Sequence, residues 1–202
     1  MLRRLLKSAR PGLFARLGVD RRGVSALEFA LLAPIMILIY FGMAELSEAM
    51  MAQRRVSHAT SSMGDLIAQF DSQNSPVKNT DMANVFAAAN AIMDPFPTTQ
   101  LSLRVSSVVV QSDGSTKVAW SDAQGTGLPA YAAGAPITLP SSSSGGTSTP
   151  LISAVGDSVI MAESKYSYSS PVNYLLPNGL TFNEIFYLKP RKTPTVTRDR
   201  TS

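Results

Sequence analysis

The chain has 202 residues, 45% hydrophobic and 16% charged, with no cysteine, one histidine and a formal net charge of +4. Without cysteine it has no disulfide, thiol nucleophile or cysteine-ligated metal centre, and its length leaves room for one modest domain beside any anchor. The positive charge is local: residues 1–23 hold seven of the 18 basic residues and one of the 14 acidic ones, and the remainder carries 11 basic and 13 acidic. A basic balance confined to one terminus does not point to nucleic acid as a partner.

Residues 1–20 read as a basic leader in which Leu2, Leu5, Leu6, Leu13, Phe14 and Leu17 recur at roughly helical spacing, interrupted by Pro11-Gly12. It either lies on a membrane surface or is disordered. From Val24 to Ala44 follow 21 residues whose one charge is Glu28. A hydrocarbon core of about 30 Å needs roughly 20 apolar residues in a helix, so the segment is long enough to span a membrane. It is too long for the apolar part of a secretory signal and ends in no small-x-small cleavage site. The preceding basic cluster predicts a cytoplasmic N-terminus and a C-terminal part across the membrane. Pro34 lies inside the span and predicts a kink or a loosened turn.

The helix is expected to continue to Phe70, with Leu46, Met50, Gln53, Val56, Ala59, Thr60, Met63, Ile67 and Phe70 on one stripe and Glu45, Glu48, Arg54, Arg55 and Asp65 mostly off it. A continuous helix over Val24–Phe70 would be about 70 Å long at 1.5 Å per residue. Residues 71–80 are polar and predict a loop. Thr80 or Asp81 is placed to cap a short helix running to Met93, with Met82, Val85, Phe86 and Ala89 on its apolar face. Asp94-Pro95-Phe96-Pro97 ends it. Alternation over Leu101–Val110, a turn at Ser112-Asp113-Gly114-Ser115 and a second run over Thr116–Trp120 predict a hairpin. Residues 123–150, rich in Gly, Ser, Ala and Pro, read as an exposed mobile excursion. Ser158–Tyr168 predicts a strand and Leu180–Leu188 an edge strand, followed by a basic, extended tail over 189–202. The fold class expected is α+β: a long N-terminal helix, transmembrane in its first half, a short second helix and a small antiparallel sheet. The organisation expected is a leader (1–23), a span (24–44), an amphipathic extension (45–70), an exported head (71–188) and the tail.

Two features are not explained by a plain anchor: Gly23 just ahead of the span, and the carboxylate of Glu28 five residues after it. On position alone Glu28 can sit one turn inside the interface and snorkel to water. The stretch Arg21-Arg22-Gly23-Val24-Ser25-Ala26-Leu27-Glu28-Phe29, with its apolar run, resembles the processing site of type IV pilin-like proteins. Glu28-Phe29, where a major Flp-type pilin would have Glu-Tyr, is most similar to the TadE-type minor pseudopilins of tight-adherence (Tad) pili. The resemblance covers Arg21 to about Gly42 and extends loosely to Val118-Ala119-Trp120-Ser121 and the Pro190-Arg191 tail. It implies cleavage after Gly23 by a prepilin peptidase, with Val24 as the new N-terminal residue and Glu28 as charge partner of its amine. It implies that Phe29 to Met43 serve first as anchor and then as helix-packing core. The implied partners are the peptidase, other pilins and pseudopilins with their assembly machinery, and the inner membrane.

Other chemistry is weakly signalled. Gly156-Asp157-Ser158-Val159 resembles the opening of a GDSL hydrolase motif, but that chemistry needs a histidine base. The single histidine, His58, falls on the proposed long helix. No phosphate-cradling glycine loop or metal-ligand spacing occurs, so no cofactor, metal or catalytic residue is expected. Trp120, Tyr166, Tyr168 and Tyr174 are read as core in preference to a binding surface. The competing functional reading is a signal-anchored envelope protein with a binding head, which differs from the first in remaining uncut at Gly23.

Overall fold

The computed structural model describes residues 23–144, 147–170 and 176–201, with backbone alone at 142–144 and 147–150. The expected leader helix, Arg21, Arg22 and Tyr174 lie outside the described residues. The chain divides after Ala44 into two units, a short N-terminal one and a head beginning at Glu45. Helix α1, Val24–Ala68, contributes residues to both.

In the head, α1 and helix α2, Asn79–Ile92, pack on one face of a four-stranded antiparallel sheet with strand order β2-β1-β5-β6. Its strands are β1 (Leu101–Val110), β2 (Thr116–Gln124), β5 (Ser158–Tyr168) and β6 (Leu180–Leu188). The remaining two, β3 (Ser141–Ser144) and β4 (Thr147–Pro150), form a separate hairpin. The architecture is the expected α+β, and β6 takes its expected place at the sheet edge.

The inward face of α1 is Ala49, Ala52, Val56, Ala59, Met63 and Ile67. From Val56 onward this is the stripe expected from the sequence, but before it the phase differs by one residue. Leu46, Met50 and Gln53 are exposed, and Glu45, Ala49 and Ala52 are buried. Around residues 43–52 apolar side chains encircle the helix, so periodicity alone sets no phase there. Small alanines allow close approach to the sheet, and the long side chains are left outside. Gly64 continues that logic: a Cβ there would stand 2.5 Å from Leu188 Cδ1 and 3.0 Å from Ala162 Cβ. A buried contact between the hydroxyls of Thr60 and Ser164, at 2.5 Å, ties α1 to β5.

Helix α2 buries Met82, Val85, Phe86 and Ala89 as expected. Asp81 does not cap it in the manner expected; the helix begins earlier, after Lys78, and Asp81 Oδ2 accepts from the Lys78 backbone N–H at 2.9 Å. That is the reciprocal half of a capping box.

Strands β1 and β5 are covered on both faces. Leu101, Leu103 and Val105, with Ile160, Ala162, Tyr166 and Tyr168, join the helices in the main core. A second, smaller core on the opposite face gathers Val108, Val110, Val118, Val159, Met161 and Ile152. Strand β2 supplies both cores because its register shifts: Ser107 pairs with Trp120 but Val108 with Val118, so Ala119 is the extra residue of a β-bulge. Val118 and Trp120, two apart, therefore reach opposite faces, which strict alternation would forbid. Ser107 Oγ is buried with no hydrogen-bond partner among the described residues.

Residues 123–150 are expected as an exposed mobile excursion; residues 123–141 do lie at the surface, but part of the segment is bonded to the sheet. Strand β2 runs on to Gln124, and 134–137 add to its outer edge through Gly134 N to Val118 O (2.8 Å), Val118 N to Ala135 O (3.0 Å) and Ile137 N to Thr116 O (3.0 Å). Tyr131, Ile137 and Leu139 pack on the second core. Arg104, buried in the centre of the sheet, forms a two-pronged ion pair with Glu163 (2.6 and 2.8 Å) and donates to Pro129 O and Tyr131 Oη, each at 2.7 Å. Its guanidinium carbon lies 3.7 Å from the Tyr131 ring centroid. Burial opposes the charge on Arg104, but the Glu163 hydrogen bond and charge outweigh it and raise the pKa.

The tail is strapped to the head. Val77 N donates to Thr197 O (3.0 Å) and Asp199 N to Val77 O (2.9 Å), while Trp120 Nε1 donates to Val196 O at 2.6 Å. Four of its five basic side chains meet the head's own carboxylates: Lys189 with Asp157, Arg191 with Asp65, and Arg198 and Arg200 with Asp122.

Candidate functional site in the first turns of the N-terminal helix

The N-terminal unit is organised by the opening of α1. Its large apolar side chains are uncovered, with Leu27 72%, Phe29 69% and Leu31 74% exposed. The most apolar stretch of this helix is not buried among the described residues. A helix apolar on all sides, and uncovered over this stretch among the described residues, is suited to lipid or to other apolar helices. Its length and composition make it a candidate single-pass anchor.

Gly23 directly precedes the helix, and apart from its chain neighbours nothing among the described residues stands within 4 Å of where a Cβ would be. Val24 is the first helical residue, and Glu28 follows four positions later. Residues four apart in an α-helix lie one above the other on one face, so the backbone nitrogen of Val24 and the Glu28 carboxylate share a side. The structure thus brings Gly23, Val24, Glu28 and Phe29 into the first two turns. Pro34 lies one and a half turns further on, inside the continuous helix. Lacking an N–H, it leaves the Ala30 carbonyl without its helical donor.

The hydrolase-like residues are engaged elsewhere. Ser158 is fully buried and its Oγ donates to Pro194 O at 2.8 Å, while Asp157 pairs with Lys189. His58 is exposed on α1. Trp120, Tyr166 and Tyr168 are core residues, as expected.

A polar cluster that sequence reasoning missed lies where α1 enters the head. Glu45 is 2% exposed and accepts from Ser170 Oγ at 2.6 Å, and Glu48 Oε2 lies 3.5 Å from Tyr168 Oη. The signal that could have found it is the pair of carboxylates three apart on one helix. It was obscured by the choice of helical phase.

Residues 23–62, 40 of the 202, match the family described as TadE-like protein. The matched stretch begins at Gly23, covers the candidate anchor and continues into the part of α1 that packs in the head. Neither the comparison with curated proteins nor that with solved structures gave a match.

Proposed function

We propose that this chain, a TadE-type protein of the Tad pilus system by its match over residues 23–62, is a minor pseudopilin matured by prepilin peptidase. The peptidase cuts between Gly23 and Val24. The segment Val24–Ala44 then holds the protein in the inner membrane, with the head on the far side from the seven basic residues of 1–23. In that state the protein initiates, caps or supports assembly of an adhesive pilus with other pilins and pseudopilins.

The observation that carries this reading is the order of Gly23, Val24 and Glu28 at the mouth of an exposed apolar helix. A glycine adds no side chain beside the bond that a protease must reach. Cleavage leaves an α-amine on Val24, and a charge in a low-dielectric helix bundle costs several kcal/mol unless it is paired. Glu28 meets that amine in its own chain or in a neighbour. No residue of this chain acts on a substrate in the scheme; Gly23 is recognised, Val24 supplies the amine, Glu28 neutralises it, and Phe29 to Met43 supply the apolar surface.

N-terminal sequencing and intact mass of the membrane-extracted protein test the scheme, in cells with and without prepilin peptidase. The expected result is a chain starting at Val24 in the first strain and an uncut chain in the second. An uncut chain in both overturns the scheme and leaves a signal-anchored envelope protein with a binding head.

A further inference from the structure

We infer that the head carries a binding cleft for a lysine or arginine side chain of a partner protein, with Glu48 as its charge partner. The cleft encloses about 410 Å³ and is lined by Glu48 and Met51 of α1, Pro95 and Phe96 of the turn after α2, and Tyr166 and Tyr168 of β5. That volume lies toward the lower end of the range for small-ligand sites. The inference stands whether or not the chain is cut after Gly23.

The chemistry of the walls selects the occupant. Tyr166 and Tyr168 are nearly fully buried and form its base, with Phe96 set edge-on to Tyr168 at a centroid distance of 6.2 Å. Met51, Pro95 and Phe96 offer an apolar surface to an aliphatic stem. At the rim stands Glu48, an exposed carboxylate whose one described contact is the long 3.5 Å approach of Tyr168 Oη. Glu48, like Asp94 and Glu184, forms no salt bridge among the described residues; what sets it apart is its place on the wall of an apolar cleft. Glu45, one turn earlier, places a second carboxyl group nearby. Burial, and then the charge of Glu48, hold the Tyr168 hydroxyl above its ordinary pKa. A cation on an apolar stem satisfies all of these features: the stem covers the aromatic and proline surface, and the charge meets Glu48 beside the rings.

The same walls argue against a phospholipid headgroup. An ethanolamine headgroup brings a phosphodiester close behind its ammonium, and among the described residues no lysine, arginine or histidine lines the cleft to meet it. Gln100 and Ser169, also at the cleft, can instead bond a peptide backbone.

The test uses the full chain in maltoside micelles, with methionine methyl groups labelled for NMR so that Met51 reports from inside the cleft. The probe is the acetylated, amidated peptide Ala-Leu-Lys-Leu-Ala, compared with the same peptide carrying norleucine, which keeps the stem and lacks the ammonium. The lysine peptide is expected to shift the Met51 signal and saturate it in the millimolar range, with the norleucine peptide weaker by about tenfold. Glu48→Gln is expected to weaken the lysine peptide by a similar factor while leaving the melting temperature unchanged. Equal binding of the two peptides, an unaffected Glu48→Gln variant, or a silent Met51 signal would each overturn the inference. A short-chain phosphatidylethanolamine binding more tightly than the lysine peptide would also overturn it, in favour of a lipid site.

Discussion

The indole Nε1 of Trp120 donates a 2.6 Å hydrogen bond to the backbone carbonyl of Val196, joining the bulged strand β2 to the C-terminal tail. Trp120 reaches that carbonyl because the extra residue Ala119 turns it toward the helices. Trp120→Phe keeps most of the ring but leaves the carbonyl unsatisfied, at a cost of about 1–3 kcal/mol. The melting temperature of the full chain in detergent should fall accordingly. Deletion of residues 194–202 should cost more, since it also removes the Thr197 and Asp199 bonds to Val77 and the Arg198–Asp122 pair. An unchanged melting temperature in the deletion variant would show that the strap contributes nothing.

Glu163 and Arg104 form an ion pair with both side chains only 9% exposed. Glu163→Gln leaves a buried guanidinium with less than its full countercharge, and breaking such pairs costs about 3–5 kcal/mol. Because Arg104 also holds Pro129 and Tyr131, the loss should appear as faster proteolysis within residues 125–140 before global unfolding. Cleavage at the wild-type rate there would contradict the role given to this arginine.

Ser107 Oγ is the reverse case, a buried hydroxyl without a partner among the described residues. Ser107→Ala removes a polar atom that gains nothing on folding. It should be neutral or stabilising by up to about 1 kcal/mol. A clear loss of stability would mean that the hydroxyl is satisfied in solution.

Tyr131, Tyr166, Tyr168 and Tyr187 all have pKa values raised above the ordinary 10.0, burial being the largest cause in each. For Tyr131 and Tyr187 the negative charge of Glu163 adds to it. The folded state therefore holds these protons more tightly than the unfolded state. The associated stability is fully present below the unfolded value of about 10 and is lost as pH rises through the folded values. Thermal unfolding followed alongside tyrosinate absorbance should show stability falling once pH exceeds 10. Ionisation of all four at the ordinary value, with no loss of stability, would contradict the assignment.

Glu28→Ala tests the proposed assembly role. The change makes the span more apolar, so membrane insertion should be kept or improved and cleavage largely retained. What is removed is the partner of the new α-amine, so pili should be lost. Glu28→Asp, with the charge kept and the reach shortened, should be intermediate. Blotting for membrane level and processing, paired with electron microscopy for pili, separates the two steps. Normal pili from a stable, processed Ala variant would reduce Glu28 to a tolerated boundary residue.

The sequence by itself determined the elements whose signal is local and strong. A long uncharged run reads as a helix long and apolar enough to cross a membrane, and Gly23, Glu28 and Phe29 stand out against it. The β1–β2 turn is equally legible. Gly114 takes a φ of +78°, and the Asp113 carboxylate accepts from Ser115 N–H at 2.8 Å and from its hydroxyl at 2.6 Å. Strand β5 lies at its expected residues, with Ile160, Ala162, Tyr166 and Tyr168 on one face as their spacing predicts. Tertiary structure decided what pattern leaves degenerate. The phase of α1 near Glu45 was set by alanines closing on a sheet, because apolar side chains surround the helix there. The two faces served by Val118 and Trp120 depend on a single-residue bulge, which hydrophobic alternation cannot register. Residues 125–140 and the tail carry almost no periodicity of their own. Their order comes from Arg104, Trp120 and Asp122, partners distant in sequence that only the folded chain brings within hydrogen-bonding range.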